Sequence, residues 1–385
     1  DHNVTSAQGN GQTGYTTTNT APFNCKTTAG IGANNAYCFA PAGLLLNGVA
    51  VDPTRVAGRV YGAKRLKQQD WSVRTIAGAL MDTVDITDRL TAFAGVRLDS
   101  FDLTLKRFDQ TTGATTGNYK SSDTLFNGHF GLTYKLAPEG MIYASVASAQ
   151  DINGGEPDSG TNSGYGGLVL YQGQAAGADP ESSVNLELGT KWDLFDEQLL
   201  LTAALFQSRK SDVMEGADYD VIGTFNSGRN RVRGVELDVV GKLTDKLTVQ
   251  AGYTAMQSKV LASSSPANVG KMLSNFAKNQ ASVQLKYDFS EDFALGVAGK
   301  YKSRRFGGQP DTAAPYTATG DYSQPVPMYV VYDLFANYHF TKDFEARLNI
   351  GNITDKDYYL AVYRAGTFLY KGDARNVRLT FSYSL

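Results

Sequence analysis

A two-residue alternation of apolar and polar side chains, repeated segment after segment, limits what this chain can fold into more than any other feature. In the last segment Val377, Leu379, Phe381, Tyr383 and Leu385 share one face, and Asn376, Arg378, Thr380, Ser382 and Ser384 share the other. Leu186, Leu188, Trp192 and Leu194 alternate with Asn185, Glu187, Lys191 and Asp193. The same pattern runs through Leu247–Tyr253, Ala281–Phe289, Val330–Phe340 and Phe344–Ile350. One such segment describes any half-buried strand. A long series of them describes an all-β protein.

The connections sort themselves into two kinds. Thr87-Asp88-Arg89, Pro138-Glu139-Gly140, Asp196-Glu197-Gln198, Thr244-Asp245-Lys246, Ser290-Glu291-Asp292 and Thr341-Lys342-Asp343 are short and polar, as tight hairpin turns are. The connections at 108–121, 151–181, 212–223, 262–277, 308–327 and 354–373 are long. Short and long alternate along the chain. A soluble sandwich has no reason to sort its loops so. A membrane barrel does, with short turns on the periplasmic side and long loops outside. Charged residues such as Glu187, Lys191, Asp238, Lys286, Asp333, Glu345 and Arg347 would be costly in a dry core and suit a wet lumen. The reading is an outer-membrane antiparallel β-barrel.

About 13 strands follow from the alternation, beginning near residue 70. Residues 61–385 are assigned to barrel strands, and residues 1–60 to an extracellular loop. Single-chain bacterial barrels usually hold an even number of strands, so the missing strands are expected upstream of Asp1. No signal peptide opens the chain, which is read as a processed product or a fragment beginning in mid-domain.

Composition agrees. The net charge of −2 gives no electrostatic case for a nucleic-acid partner. Mean hydropathy is −0.28, and no apolar run is long enough for a transmembrane helix. A barrel escapes that test because only alternate residues face lipid. The 40 glycines, 22 tyrosines and 19 phenylalanines suit strands, tight turns and interfacial girdles. Cys25 and Cys38 stand in a Gly-, Thr- and Asn-rich segment without enough neighbouring ligands for zinc. They are expected to form a short-loop disulfide in an oxidising compartment, contributing roughly 2–3 kcal/mol.

Four segments resemble a known family. Asp179-Pro180-Glu181 through Leu186-Glu187-Leu188-Gly189-Thr190-Lys191-Trp192 resembles the "PE…ELG.KW" segment of TonB-dependent siderophore receptors. Arg233-Gly234-Val235-Glu236 resembles their "RGVE" strand, and Asn349 through Asn352, Asp355-Lys356 and Tyr358-Tyr359 their "N..N..DK.YY" strand end. Gly372 through Arg375 and Val377 resembles the "G..R.V" opening of the last strand. The segments keep the family's order.

That resemblance implies a whole receptor of about 22 strands with an N-terminal plug. Plug, TonB box and about nine strands are then expected outside this chain. It implies active uptake of a ferric siderophore driven by the inner-membrane TonB complex, with a catecholate as the ligand class. Iron enters only as the siderophore complex, and no cofactor is implied. The terminal strand, through Phe381, Tyr383 and Leu385, is expected to be read by the barrel assembly machinery, although the family usually ends in Phe or Trp. Outer-membrane lipid and lipopolysaccharide are the remaining partners.

An anionic, aromatic ligand favours arginine and aromatic side chains at the loop bases. The candidates are Arg304, Arg305 and Phe306, then Tyr363, Arg364 and Tyr370, with Arg229 and Arg231 as further options. Each arginine has a plainer reading as a loop charge or a contact to lipopolysaccharide phosphate. Tyr165 and Tyr171 are weaker candidates. Glu236 is expected to face the lumen, and Asn352 and Asp355 to end a strand. No catalytic set or metal spacing appears; His2, His129 and His339 are scattered. The competing functions are a passive porin, a receptor for haem or cobalamin, and an outer-membrane enzyme or adhesin.

Overall fold

In the computed structural model the described residues are 2–6, 14–17, 36–39, 45–46, 49–50, 57–60, 69–109, 111–151, 180–215, 225–263, 265–307, 324–362 and 369–384. Fourteen strands form one sheet. They are β1 (His2–Ser6), β2 (Gln69–Asp85), β3 (Leu90–Phe108), β4 (Thr115–Ala137), β5 (Gly140–Asp151), β6 (Glu181–Leu194) and β7 (Leu199–Glu215). Then come β8 (Phe225–Thr244), β9 (Leu247–Ala262), β10 (Asn279–Asp288), β11 (Phe293–Lys302), β12 (Tyr329–His339), β13 (Phe344–Gly351) and β14 (Asn376–Tyr383). Each strand bonds to its predecessor, and the paired registers are antiparallel.

The chain divides into two compact units. The smaller comprises residues 1–75, 101–123 and 159–162. It contains β1, paired with β2 from His2↔Val73 to Ser6↔Gln69, and a three-stranded sheet of Gly14–Thr17, Ala57–Val60 and Ala36–Phe39. Residues 1–60, expected as a loop, thus hold short strands. Only Val4 is apolar in His2–Ser6, so this strand carries no alternation to recognise. The expected Cys25–Cys38 bond lies outside the described residues.

The larger unit comprises residues 76–100, 124–158 and 163–385. All six expected short turns fall between its strands. Four use one device: a hydroxyl accepting from backbone amides two or three residues on. Thr87 Oγ1 accepts from Arg89 and Leu90 at 3.3 and 3.0 Å, and Thr244 Oγ1 from Lys246 and Leu247 at 3.3 and 3.1 Å. Ser290 Oγ accepts from Asp292 and Phe293 at 3.3 and 3.1 Å, and Thr341 Oγ1 from Asp343 at 3.3 Å. In the smaller unit the connection expected at 108–121 is shorter, because β4 begins at Thr115. There Asp109 Oδ1 accepts from the amides of Thr111 and Thr112 at 2.9 and 2.7 Å and tightens the turn.

One face of this unit carries exposed large apolar residues, including Leu205, Leu237, Val283, Leu379 and Phe381. On β14 the exposures reach 66 % at Val377 and 59 % at Phe381. So much apolar surface facing water would be untenable; facing hydrocarbon, it is the stabilising side. Near the short turns this face bears a continuous belt of rings. Centroids step from Tyr287 to Phe289 at 4.8 Å, to Phe293 at 5.5 Å and to Tyr338 at 6.4 Å. They continue to Phe340 at 4.8 Å, Phe344 at 5.0 Å and Phe381 at 6.0 Å. Ring belts of this kind mark a membrane interface.

Candidate functional site

The opposite face of the larger unit is polar and half-exposed. Tyr143 Oη donates to Glu187 Oε1 at 2.6 Å, and the Lys191 ammonium lies 5.5 Å from the Tyr143 ring centroid. Thr202 Oγ1 donates to Asp238 Oδ2 at 3.3 Å. Glu236 shares this face, two residues from Asp238. Further round, Lys300 meets Asp333 at 3.4 Å, Arg347 Nε donates to Asn337 Oδ1 at 3.2 Å, and His339 meets Glu345 at 3.3 Å. These pairs lie within the sheet itself, which suits a water-lined wall. Lys300, Asp333, Glu345 and Arg347, with Asn376, Arg378, Thr380 and Ser382, line an open groove.

At the long-loop end one arginine organises three connections. Arg305 has no solvent exposure. Its Nη1 donates to the Leu360 carbonyl and, at 3.4 Å, to Asn275 Oδ1; its Nη2 donates to the Tyr359 carbonyl at 2.5 Å. The guanidinium carbon stands 5.8 Å from the Tyr329 ring centroid, and that ring lies 4.8 Å from Tyr358. Asn275 adds two links: its amide donates to the Phe306 carbonyl at 2.9 Å, and its Oδ1 accepts from Val362 N at 3.3 Å. Burial pulls the Arg305 pKa down from its ordinary value, but carbonyl oxygens replace water around the cation.

A second knot forms where β13 ends. Asn352, at φ 48°, receives Lys356 N on its Oδ1 at 2.8 Å and donates from Nδ2 to the carbonyls of Lys356 and Asp373 at 2.9 and 3.0 Å. Its own amide donates to Asp333 Oδ1 at 2.8 Å. Asp355, at φ 52°, accepts from Arg375 N at 2.8 Å. Both residues therefore end the strand and shape its loop, as expected. The ribbon of Tyr359–Val362 with Leu369–Lys371 follows, and Lys371 meets Asp357 at 2.7 Å.

The sequence candidates separate on this scaffold. Arg304 is exposed beside the buried Arg305, Phe306 is half-buried, and Tyr370 is exposed on the ribbon. Arg305 is committed to the loop clasp. Arg229 and Arg231 alternate in phase with Val235 and Leu237, on the apolar face and away from Glu236 and Asp238. Phe381 and Tyr383 lie on the apolar face of β14. Tyr363, Arg364, Tyr165, Tyr171 and Leu385 lie outside the described residues. Asn275 and Tyr329 escaped sequence reasoning, because a loop asparagine and a tyrosine at the start of a strand carry no pattern; Tyr358 was legible only as part of a family segment. Among the described residues no group of three or more His, Cys, Asp or Glu could hold a metal.

An antiparallel sheet with a lipid-side ring belt, a wet inner face and clasped long loops defines the wall of a transmembrane barrel. A family model described as "TonB dependent receptor-like, beta-barrel" matches residues 2–353, and the chain belongs to that family. It is a barrel protein of the Gram-negative outer membrane, in a family of receptors rather than enzymes. The chain is 27% identical over 325 residues to the probable TonB-dependent siderophore receptor PiuA of Acinetobacter baumannii, covering 82% of this chain and 41% of that protein. It is 26% identical over 329 residues to the catecholate siderophore receptor Fiu of Escherichia coli K12, covering 80% and 41%. Among solved structures, PiuA superposes with a TM-score of 0.69 at 26% identity, over 87% of this chain and 45% of that one. The closed form of Fiu gives 0.69 at 23% identity, over 87% and 47%. The chain thus spans about two fifths of the curated relatives it matches.

Proposed function

We propose that this chain is the C-terminal barrel wall of a receptor that takes up a ferric siderophore, of catecholate type, with energy from TonB. The observation that carries this is similarity over four fifths of the chain to proteins named as siderophore receptors, one of them a catecholate receptor. The wet inner wall is where a plug would lie, with Glu187, Glu236 and Asp238 as polar contacts. Segments outside this chain would supply the plug and the TonB contact. The rim supplies the ligand chemistry. Arg304 and Phe306 stand beside the rigid Arg305 clasp, and Tyr370 stands on the adjoining ribbon. A planar, anionic ferric catecholate is met by guanidinium charge and by ring stacking.

Deletion of the complete gene, followed by uptake of radiolabelled iron presented on catecholate, hydroxamate and mixed siderophores, tests the proposal. Loss of catecholate-dependent uptake alone, reproduced by loss of TonB, is the expected result. Uptake unchanged across the panel refutes it. Uptake lost without TonB dependence points to a passive channel.

A further inference from the structure

We propose that the inner face of β11–β14 is a lane down which an anionic ferric complex crosses the barrel, passed along a ladder of cations: Lys302, Lys300, Arg378 and Arg347. All four project inward. Lys300 and Lys302 share the phase of Gly296 and Ala298, away from Leu295 and Val297, and the register sets Lys302 beside Tyr329 on β12. Arg347 pairs with Thr380, and Arg378 with Asn349, on the side opposite Leu379 and Phe381. Heights follow from counting residues up from each short turn, with Arg378 taking the level of Asn349. At about 3.3 Å per residue and a strand tilt of about 40°, the four stand about 25, 20, 15 and 10 Å above the periplasmic end. One charge thus follows another at steps of about 5 Å from rim to base.

These cations are available to a passing anion. Lys300, Arg347 and Arg378 are exposed. Among the described residues Lys302, Arg347 and Arg378 form no ion pair. The carboxylates on the same strands are engaged. Asp333 accepts from the Asn352 amide at 2.8 Å and meets Lys300 at 3.4 Å, and Glu345 meets His339 at 3.3 Å. Lys300, Arg347 and Arg378 border one groove with Phe335 and Asn376; its volume, about 530 Å³, is in the range of small-ligand sites. The inner side of β6 and β8 is the reverse, with Glu187, Glu236 and Asp238 against Lys191, whose ammonium is drawn to the Tyr143 ring. An anion in the lumen is repelled there and attracted to β11–β14.

The ladder begins where the cargo is held. Arg304 and Phe306 follow directly on Lys302, and the Arg305 clasp fixes the connections after β9, β11 and β13 above these strands. Single, water-exposed charges suit transit better than storage, because each holds an anion weakly and the next lies within reach. One tight site would retain the complex. The lane rests on the siderophore reading for its anionic cargo, and it goes further by assigning the route to residues below the rim. If these cations instead anchored carboxylates of a plug, their loss would loosen the plug and open a leak.

The test measures binding and uptake of radiolabelled iron on a synthetic tris-catecholate by cells carrying the full receptor. Arg347→Gln with Arg378→Gln is expected to leave surface affinity, read without TonB, unchanged and to slow uptake at saturation about tenfold. Lysine at both positions keeps the charge and is expected to restore most of the rate. Lys286→Gln, which removes a paired cation on β10, is expected to change neither. Unchanged uptake in the folded double variant overturns the lane. So does entry of vancomycin, which reads a loosened plug, or failure of lysine to rescue. Heat-modifiable electrophoretic mobility reports folding; should the double variant not fold, Arg378→Gln alone is expected to slow uptake several-fold. A wild type that does not import the tris-catecholate refutes the siderophore reading instead. The lane is then judged in planar bilayers, with the plug of the full receptor unfolded by urea. The double variant is expected to shift the reversal potential in a KCl gradient toward cation selectivity, and no shift overturns the lane.

Discussion

Arg305 donates from Nη2 to the carbonyl of Tyr359 at 2.5 Å, across 54 residues of sequence. That bond ties the connection after β11 to the connection after β13, and Asn275 ties in the one after β9. Replacing Arg305 with alanine leaves two carbonyl oxygens and Asn275 Oδ1 without this donor in a buried place. The expected cost is about 2–4 kcal/mol, read locally rather than in the barrel. Limited proteolysis of the folded receptor checks this: cleavage within 352–375 should accelerate at least tenfold while heat-modifiable mobility is retained. Lysine restores the charge without the fork and should rescue little.

Much of the barrel was legible in the sequence because a strand with one face in lipid and the other in water must alternate. The six short turns were legible for a related reason: Thr87, Thr244, Ser290 and Thr341 announce them by side chains that bond their own backbone. His2–Ser6 was not legible, since a five-residue strand with one apolar side chain shows no period. At the rim, charge and aromaticity single out Arg304 and Arg305 equally, and only the fold separates an exposed arginine from one committed to carbonyls. Arg229 and Arg231 show the opposite lesson. Their phase relative to Val235 and Leu237 is written in the sequence, and it places them on the lipid side.

Gly241 sits at φ 141°, where L side chains rarely go, and a Cβ there would meet the Leu199 backbone at 2.8 Å. The strain and the clash have the same sign, and the obstacle is backbone that cannot rotate aside. Gly241→Ala should destabilise the barrel by about 2–3 kcal/mol. Urea unfolding in lipid vesicles should show a lower midpoint with an unchanged slope. An unchanged midpoint would mean that the turn at Asp196–Glu197–Gln198 shifts freely.

Phe381 ends the ring belt, 6.0 Å from Phe344. Phe381→Ala removes one ring from the lipid interface and one stacked partner, at a cost of about 1–3 kcal/mol. If the terminal strand is also what the assembly machinery reads, the loss in cells should exceed that cost. The check compares two quantities: folding yield in vesicles, and the folded fraction in outer membranes. Phe344→Ala removes the other ring of the same contact but leaves the terminal strand intact. It should match Phe381→Ala in vesicles and assemble better in cells.

The Asp357–Lys371 pair gives the rim ribbon a pH window. Lys371, by hydrogen bond first and by charge second, holds the Asp357 carboxyl below the usual carboxylate range; the same contact raises Lys371. A depressed carboxyl stabilises the fold above its unfolded pKa, and that contribution disappears as pH falls through the folded value. A raised ammonium stabilises below its unfolded pKa, and its contribution disappears as pH rises through the folded value. The contact is therefore in force from above about pH 4 to below about pH 10. Both side chains are open to solvent, so salt should weaken it. NMR titration of a carboxyl-labelled Asp357 should find its midpoint below the ordinary aspartate value, rising toward it in Lys371→Gln and in high salt. A midpoint indifferent to both changes would show that the ribbon is held by its backbone bonds and the Arg305 clasp alone.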